Sequence, residues 1–423
     1  MGVIRGDSSK DRVGPISLDY HATTPVAPEV VAAMIPFFSD TSWNAHSAHA
    51  GGAIAASAVA VARARVADLV GSAPSEIIFT SGATEANNIA ILGTAAAATH
   101  SGSIRRRILT STIEHKCVLE AAGHLSSAGF VHELIPVTAD GLIDLAVLSE
   151  MLDEEVLLIS VMAASNEIGV IQPLAQIGEL AADYGAIFHV DAAQAVGRVS
   201  FDVFALRCDL ASFSGHKMYG PNGIGALFVS SAAELKPRPI MFGGGQEQGL
   251  RPGTLAVPLI VGFGKAAAIA AERMEADARH LTEIAHLFVS NLRLLGITAR
   301  LNGAPSPRLP GSLNLLIDGV DADDVVLRLG DDLHLSTGSA CQSGELQGSH
   351  VLRALGLSDQ DVASSFRICF GRGHTESDAI DAAKLLAEAV ASCEKPTGGG
   401  VQQRGSDGGK VHGEGFSPAI CGT

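Results

Sequence analysis

Phe188-His189-Val190-Asp191-Ala192-Ala193-Gln194 and Leu210-Ala211-Ser212-Phe213-Ser214-Gly215-His216-Lys217 decide how this chain folds. Each opens with a short apolar, β-rich run. Each run then delivers one charged side chain, Asp191 or Lys217, to the end of a buried strand. Runs of the same kind recur at 77–80, 106–111, 130–137, 156–163, 186–191 and 224–229. Helix-like stretches at 53–70, 84–98, 115–128 and 173–184 separate several of them, the first ending at Gly71 as a glycine stop. This alternation predicts an α/β fold with a mostly parallel sheet and helices on both faces. Sheets of this type place their sites at the carboxyl ends of the strands, where Asp191 and Lys217 fall.

An ammonium group costs several kcal/mol to bury without a partner. Forming an imine with an aldehyde removes that charge, so Lys217 points to pyridoxal phosphate (PLP) held on its amine. Alone, Lys217 reads equally well as a surface lysine in a turn, and Asp191 as the N-cap of the next helix. With the carboxylate 26 positions before the lysine, the two make a better set for PLP, which needs an anionic partner at its pyridine nitrogen. Thr80-Ser81-Gly82-Ala83-Thr84-Glu85 joins a strand to a helix and offers free N–H groups, a hydroxyl and the positive end of a helix dipole. That makes Ala83 and Thr84 a phosphate cup, with Ser214 and His216 as added donors. His115 follows another strand and would stack on the pyridine ring and shuttle protons; the plainer alternative is a helix-start histidine with an ordinary hydrogen bond. Asn166 and Gln194, also at strand ends, would bond the PLP 3′-oxygen or a substrate carboxylate.

The 423 residues are 47% hydrophobic, 17% charged and 4% aromatic, enough apolar material for a large core or two. A net charge of −16 argues against a nucleic-acid groove. Six scattered cysteines with no C-x-x-C pair argue against a disulfide framework or a preformed zinc site, and favour a reducing compartment. The N-terminus has no apolar stretch of signal-peptide type, and no run of about 18 apolar residues occurs, so the expectation is a cytoplasmic protein without a membrane partner. A glycine-rich loop, Gly243-Gly244-Gly245 to Thr254, precedes a largely helical 255–295. The expected organisation is a large PLP-binding domain over 16–265, a smaller α+β domain over 266–393 joined by the N-terminal segment, and a disordered Gly-rich tail over 394–423.

Leu18-Asp19-Tyr20-His21-Ala22-Thr23-Thr24-Pro25, Ser81-Gly82-Ala83-Thr84-Glu85, Glu114-His115-Lys116, Asn166-Glu167-Ile168-Gly169, His189-Val190-Asp191-Ala192-Ala193-Gln194 and Ser214-Gly215-His216-Lys217 together resemble the cysteine desulfurases, in the class V aminotransferase branch of fold-type I PLP enzymes. The resemblance runs from about residue 16 to 393 in unbroken order. It implies a PLP-dependent homodimer that converts L-cysteine to L-alanine and passes the sulfur on.

Leu335-Ser336-Thr337-Gly338-Ser339-Ala340-Cys341-Gln342-Ser343-Gly344 tests the resemblance. Cys341 stands among glycines and small polar residues, which marks a reactive thiol on an exposed segment and not a packed one. The family carries its nucleophilic cysteine in a Ser-Ser-Gly-Ser-Ala-Cys motif on a long loop, matched here with Thr337 at the second position and followed at family spacing by Val351-Leu352-Arg353-Ala354-Leu355-Gly356. The resemblance further implies Lys217, Cys341 and His115 as catalytic residues, Asn166 and Arg367 as substrate ligands, and Thr254 as a contact to the PLP phosphate of a second subunit. It implies no resident metal, a transient iron–sulfur cluster contact at Cys341 being the one exception, and a sulfur-acceptor or cluster-scaffold protein as partner. Iron–sulfur assembly, tRNA thiolation and cofactor sulfuration are all open destinations. Cys117, Cys208, Cys369 and Cys393 are read as packing residues. The chain departs from the family at Trp43-Asn44-Ala45, at Pro252, and between Cys341 and Val351. Two other readings are a related class V enzyme such as a selenocysteine lyase, which leaves the Cys341 motif unexplained, and a non-catalytic docking protein, which has no need of Lys217, Asp191, His115 and Cys341 together.

Overall fold

Seven strands carry the candidate site: β1 (Ile77–Thr80), β2 (Arg107–Ser111), β3 (Val131–Ile135), β4 (Val156–Met162), β5 (Ile187–Asp191), β6 (Leu210–Ser214) and β7 (Gly225–Val229). They belong to a computed structural model that describes residues 14–337 and 348–393; Cys341 and the 394–423 tail lie outside the described residues. The sheet order is β1-β7-β6-β5-β4-β2-β3. Every pairing from β6 to β3 is parallel, and β7 runs antiparallel to both β1 and β6. β7 follows β6 after a short turn, and a parallel return would have required a full crossover. The sheet is therefore mostly parallel, as the alternating pattern predicts, with one reversed strand. β1, β4, β5 and β6 are buried along their whole length, the pattern of a sheet covered on both faces.

The helices match the expected positions with small shifts. Ala50–Val70 ends at Gly71, whose φ of 71° suits a glycine stop. α1 (Ala83–Ser101) and α2 (Lys116–His124) follow β1 and β2. The stretch expected to be helical to 128 tightens into a 3-10 turn over Leu125–Ala128, stopped by Gly129 at φ 83°. α3 (Val257–Leu294) is a single helix of 38 residues, about 57 Å long.

Two hydrophobic cores share α3. Its first half contributes Val257, Ile260, Phe263 and Ala267 to the core under the large sheet. Its second half contributes Leu281, Ile284, Phe288 and Leu292 to a second core, built also from Leu315, Phe366, Phe370 and Leu386. The second core covers an antiparallel sheet in the order 336–337, 365–369, 312–317, 299–301. The N-terminal strand Ile16–Ser17 pairs in parallel with Leu333–His334, and Ile16 and Leu18 are buried in this second core. Among the described residues no helix is long and apolar enough to cross a membrane.

Ahead of α3, Glu247 and Gln248 adopt left-handed φ values of 45° and 60°. Glu247 is held there by Arg63, whose Nη1 and Nη2 donate to it at 2.8 and 2.5 Å, and by the Phe79 amide at 2.7 Å.

α3 crosses Ala50–Val70 at Gly264, where a Cβ would lie 2.4 Å from Ala62 Cα. Gly264→Ala gains about 1 kcal/mol of helix propensity but forces the two helices apart, at a cost of about 1–3 kcal/mol. Thermal unfolding of the holoprotein should therefore show a lower Tm for Gly264→Ala, and an unchanged or raised Tm would disprove the tight crossing.

Candidate active site

The carboxyl ends of β1, β2, β5 and β6 surround a cavity of about 270 Å³. At one end stand Ser81, Gly82, Ala83 and Thr84, the turn into the 19-residue α1, together with Ser214 and His216. The first N–H groups of a helix have no partner within it. At Gly82 a Cβ would meet nothing within 4 Å, so that wall is open backbone facing the cavity. β7 is pressed against the turn: a Cβ at Gly225 would lie 2.7 Å from Gly82 Cα. Burial first, then Lys217, pushes His216 down to about 4, and its Nδ1 lies 3.1 Å from Thr23 Oγ1.

Asp191 closes β5 and reaches the cavity while remaining only 7% exposed. Two neutral amides donate to its carboxylate, Asn87 Nδ2 at 2.8 Å and Ala193 N at 3.0 Å. His115 is the N-cap of α2 and lines the same cavity. Its Nδ1 accepts the Cys117 backbone N–H at 3.2 Å. A backbone amide only donates, so Nδ1 is the acceptor and the neutral ring carries its proton on Nε2. Burial lowers the His115 pKa, Asp191 opposes that, and Lys217 adds to it. His115 is thus a helix-start residue with an ordinary hydrogen bond, as the plainer alternative expects, and it also lines the cavity.

Lys217 closes the 3-10 turn Gly215–Lys217 after β6. Its Nζ donates to the carbonyls of His21 at 2.5 Å and Ala22 at 2.7 Å. Burial first, then Arg367 and Arg198, pushes it down to about 8. Arg367, on the 365–369 strand, donates through Nη2 to Asp19 Oδ1 at 2.7 Å and to Ser336 Oγ at 3.0 Å.

The remaining candidates are placed less directly. Gln194 is committed to the N-terminal segment: its Oε1 lies 3.0 Å from His21 Nδ1 and 3.1 Å from Arg198 Nη1, and its Nε2 donates to His21 O at 3.0 Å. Asn166 is half-buried in the turn after β4. Thr254 is exposed on the segment before α3 and does not line its own chain's cavity. Cys341 lies outside the described residues.

Cys117 packs against the core formed with α1 and α2, as expected, and does more: half-buried, it lines the cavity and links two site residues. Asn87 Nδ2 lies 3.2 Å from Cys117 Sγ, which lies 3.0 Å from His115 Nδ1. Since Nδ1 is an acceptor, the thiol donates to it. Burial and Asp191 push this thiol up to about 12, so it stays protonated. Asn87, Cys117, His21, Arg198 and Asp19 all enter the site without having been singled out for it in the sequence. The available signal was a buried amide one helical turn after Thr84, and a cysteine two positions after a candidate histidine.

The donor set fits PLP. A helix start with adjacent hydroxyl and imidazole groups suits a phosphate, a buried carboxylate with only neutral donors suits a pyridinium N–H, and a depressed lysine stands beside them.

Residues 16–381 match the model of the aminotransferase class-V family. The cysteine desulfurase IscS of Rickettsia felis is 44% identical over 377 residues, which cover 89% of this chain and 91% of that one. A solved NifS-like protein superposes with a TM-score of 0.83 at 34% identity, covering 89% of this chain and all of the other. A second solved structure, SspA in complex with cysteine, gives a TM-score of 0.75 at 35% identity over 86% of this chain and 100% of that one. The fold around a strand-end lysine and carboxylate, and these relatives, agree: the chain belongs to the class-V aminotransferase family and, within it, to the cysteine desulfurases.

Proposed function

We propose that Lys217, Asp191, His115 and Cys341 are the working residues of a PLP-dependent cysteine desulfurase, which converts L-cysteine to L-alanine and transfers the sulfur. The observation that carries these assignments is the convergence on one cavity of the α1 start, Asp191 and His115, with Lys217 held beside it and depressed to about 8. Ala83, Thr84, Ser214 and His216 hold the phosphate, Asp191 the pyridine nitrogen, and His115 the ring face. Asn166 and Gln194 stand at the margin of this set, Gln194 acting through His21.

Bound PLP supplies an electron sink that stabilises negative charge at the substrate Cα. Arg367 binds the substrate carboxylate, for which its planar fork is suited, and Asn166 assists. Lys217 Nζ takes the Cα proton; its depressed pKa keeps the neutral amine accessible near neutral pH. His115, with its proton on Nε2, is placed to donate or accept at the substrate. Cys341 Sγ, as thiolate, accepts the substrate sulfur: the C–S bond breaks, an S–S bond forms, and the remainder leaves as alanine after protonation. A sulfur-acceptor protein then takes the persulfide sulfur, with iron–sulfur cluster assembly the favoured destination.

A homodimer is the proposed working form. Exposed Ile35, Phe38, Trp43, Ile54, Val61 and Phe242 support it, since they offer apolar surface to a second copy. Thr254 supports it too, being exposed away from its own cavity and so available to a partner's phosphate. The two cores support a division into a 16–265 domain and a 266–393 domain that includes the N-terminal segment, with the boundary inside α3. A cytoplasmic location is proposed from the scattered free cysteines.

Cys341→Ser should keep the visible PLP band and its response to L-cysteine, but lose alanine and sulfide formation by roughly a thousandfold or more. Alanine formation at the normal rate would remove Cys341 from the reaction. The apoprotein should capture PLP faster as pH rises through about 8, because only the neutral Lys217 amine attacks the aldehyde. A flat rate across that range, followed by stopped-flow absorbance, would contradict the depressed lysine. Cys117→Ala removes the S–H donor to His115 Nδ1, which favours the protonated ring. The acid limb of kcat/KM should move up by about half a pH unit to one unit, while Cys117→Ser keeps the donor and the wild-type limb.

A further inference from the structure

We propose that Asp19 is a specificity-determining residue that makes the substrate site prefer amino acids with uncharged side chains over acidic ones. The proposal rests on reading Arg367 as the partner of the substrate carboxylate. Asp19 Oδ1 lies 2.7 Å from Arg367 Nη2. Its side chain is 28% exposed against 13% for Arg367, so the carboxylate is the more solvent-facing member of the pair. Ser336 Oγ takes another Arg367 hydrogen at 3.0 Å, and Arg367 Nε is buried without a partner among the described residues.

Asp19 is built into this position. Tyr20 N donates to Cys369 O at 3.3 Å, Cys369 N to Leu18 O at 2.7 Å, and Ala22 N to Asp19 O at 3.0 Å, which fixes the backbone on both sides. The carbonyls of His21 and Ala22 then receive Lys217, so one short segment bears on both the lysine and the arginine.

The charges around Lys217 explain what Asp19 contributes. Arg367 and Arg198 push the lysine's pKa down, while Asp19 and Asp191 push it up. Without Asp19, the positive charge of Arg367, with Arg198 close enough to act on the same lysine, would stand unopposed, and an amino acid with a second carboxylate would be favoured. With Asp19 present, one carboxylate can still share Arg367. A second negative charge brought close to Asp19 is repelled; between unit charges about 6 Å apart in partly screened surroundings the repulsion amounts to roughly tenfold in affinity. L-Cysteine carries no such second charge when its thiol is protonated, and L-alanine never does.

The test uses the PLP-loaded enzyme and two ligands without transferable sulfur, L-alanine and L-aspartate, titrated against the visible cofactor band at fixed pH and salt. Both present the same α-carboxylate, so the ratio of their Kd values isolates the side-chain charge. Asp19→Asn should narrow that ratio by roughly three- to tenfold, mainly by tightening L-aspartate, while Asp19→Glu keeps it. Asp19→Ser provides a second neutral variant should the asparagine form fold poorly. Equal shifts for both ligands in the neutral variants would overturn the assignment. Arg367→Leu separates the two levels: weakening of both ligands by tenfold or more supports the carboxylate reading, while unchanged L-alanine affinity overturns that reading and this one with it.

Discussion

A lysine can stand at the end of a buried strand only if something receives its ammonium group, and here the receivers are two backbone carbonyls. His21 and Ala22 lie 196 and 195 residues before Lys217 in the chain, yet their oxygens sit 2.5 and 2.7 Å from its Nζ. That contact requires the N-terminal segment to cross the carboxyl end of β6. The crossing is secured on the other side by Ile16 and Leu18, buried in the second core. The same segment is pinned at its middle by the buried His21, which bonds Gln194 in the turn after β5 and Ser312 of the antiparallel sheet. Burial and the two nearby guanidinium groups then do the chemical tuning of the lysine. The position of the amine and its acidity are thus set by different parts of the chain.

Strand-end chemistry was legible in the sequence because each strand is short, apolar and followed at once by a polar side chain. Asp191, Lys217, Ser214 and the Thr80–Thr84 turn stood out for that reason, and the cavity brings Asp191, Ser214 and the turn together. The reversed strand β7 was less visible: its apolar run looks like the parallel strands, and only the short distance from β6 separates them. Cys117 reads as a packing residue because a cysteine inside a helical stretch is most often a small buried hydrophobe, and it does pack against the core. Its second role is less legible: its position two residues into α2 also puts the thiol beside the cap. Gln194 lay at the right strand end but turned to His21, a partner 173 positions away that no local pattern announces. Asp19 and Arg367 are 348 positions apart, and their pairing is set entirely by tertiary structure.

The segment ahead of α3 follows the same logic of local strain held by distant contacts. Two consecutive non-glycine residues in left-handed conformation are costly. At Glu247 the cost is offset by a bidentate arginine and a backbone amide, with Arg63 also stacked 4.5 Å over Phe79. Arg251, three residues before Thr254, is anchored in turn on Glu85 in the first turn of α1. The loop that leads to Thr254 is therefore indexed to the helix whose start forms the phosphate end of the cavity.

The N-terminal strand has a consequence for how the protein is made. Residues 16–18 are synthesised about 300 positions or more before their neighbours at 333–335 and 366–370. Contacts of such long sequence separation form slowly, and the exposed apolar surface must wait. The carbonyls that receive Lys217 are in the same waiting segment. A nascent chain can complete the large sheet early, but the segment that carries the His21 and Ala22 carbonyls gains its anchors only when residues 312–370 have emerged. A finished lysine site therefore depends on residues made well after Lys217 itself.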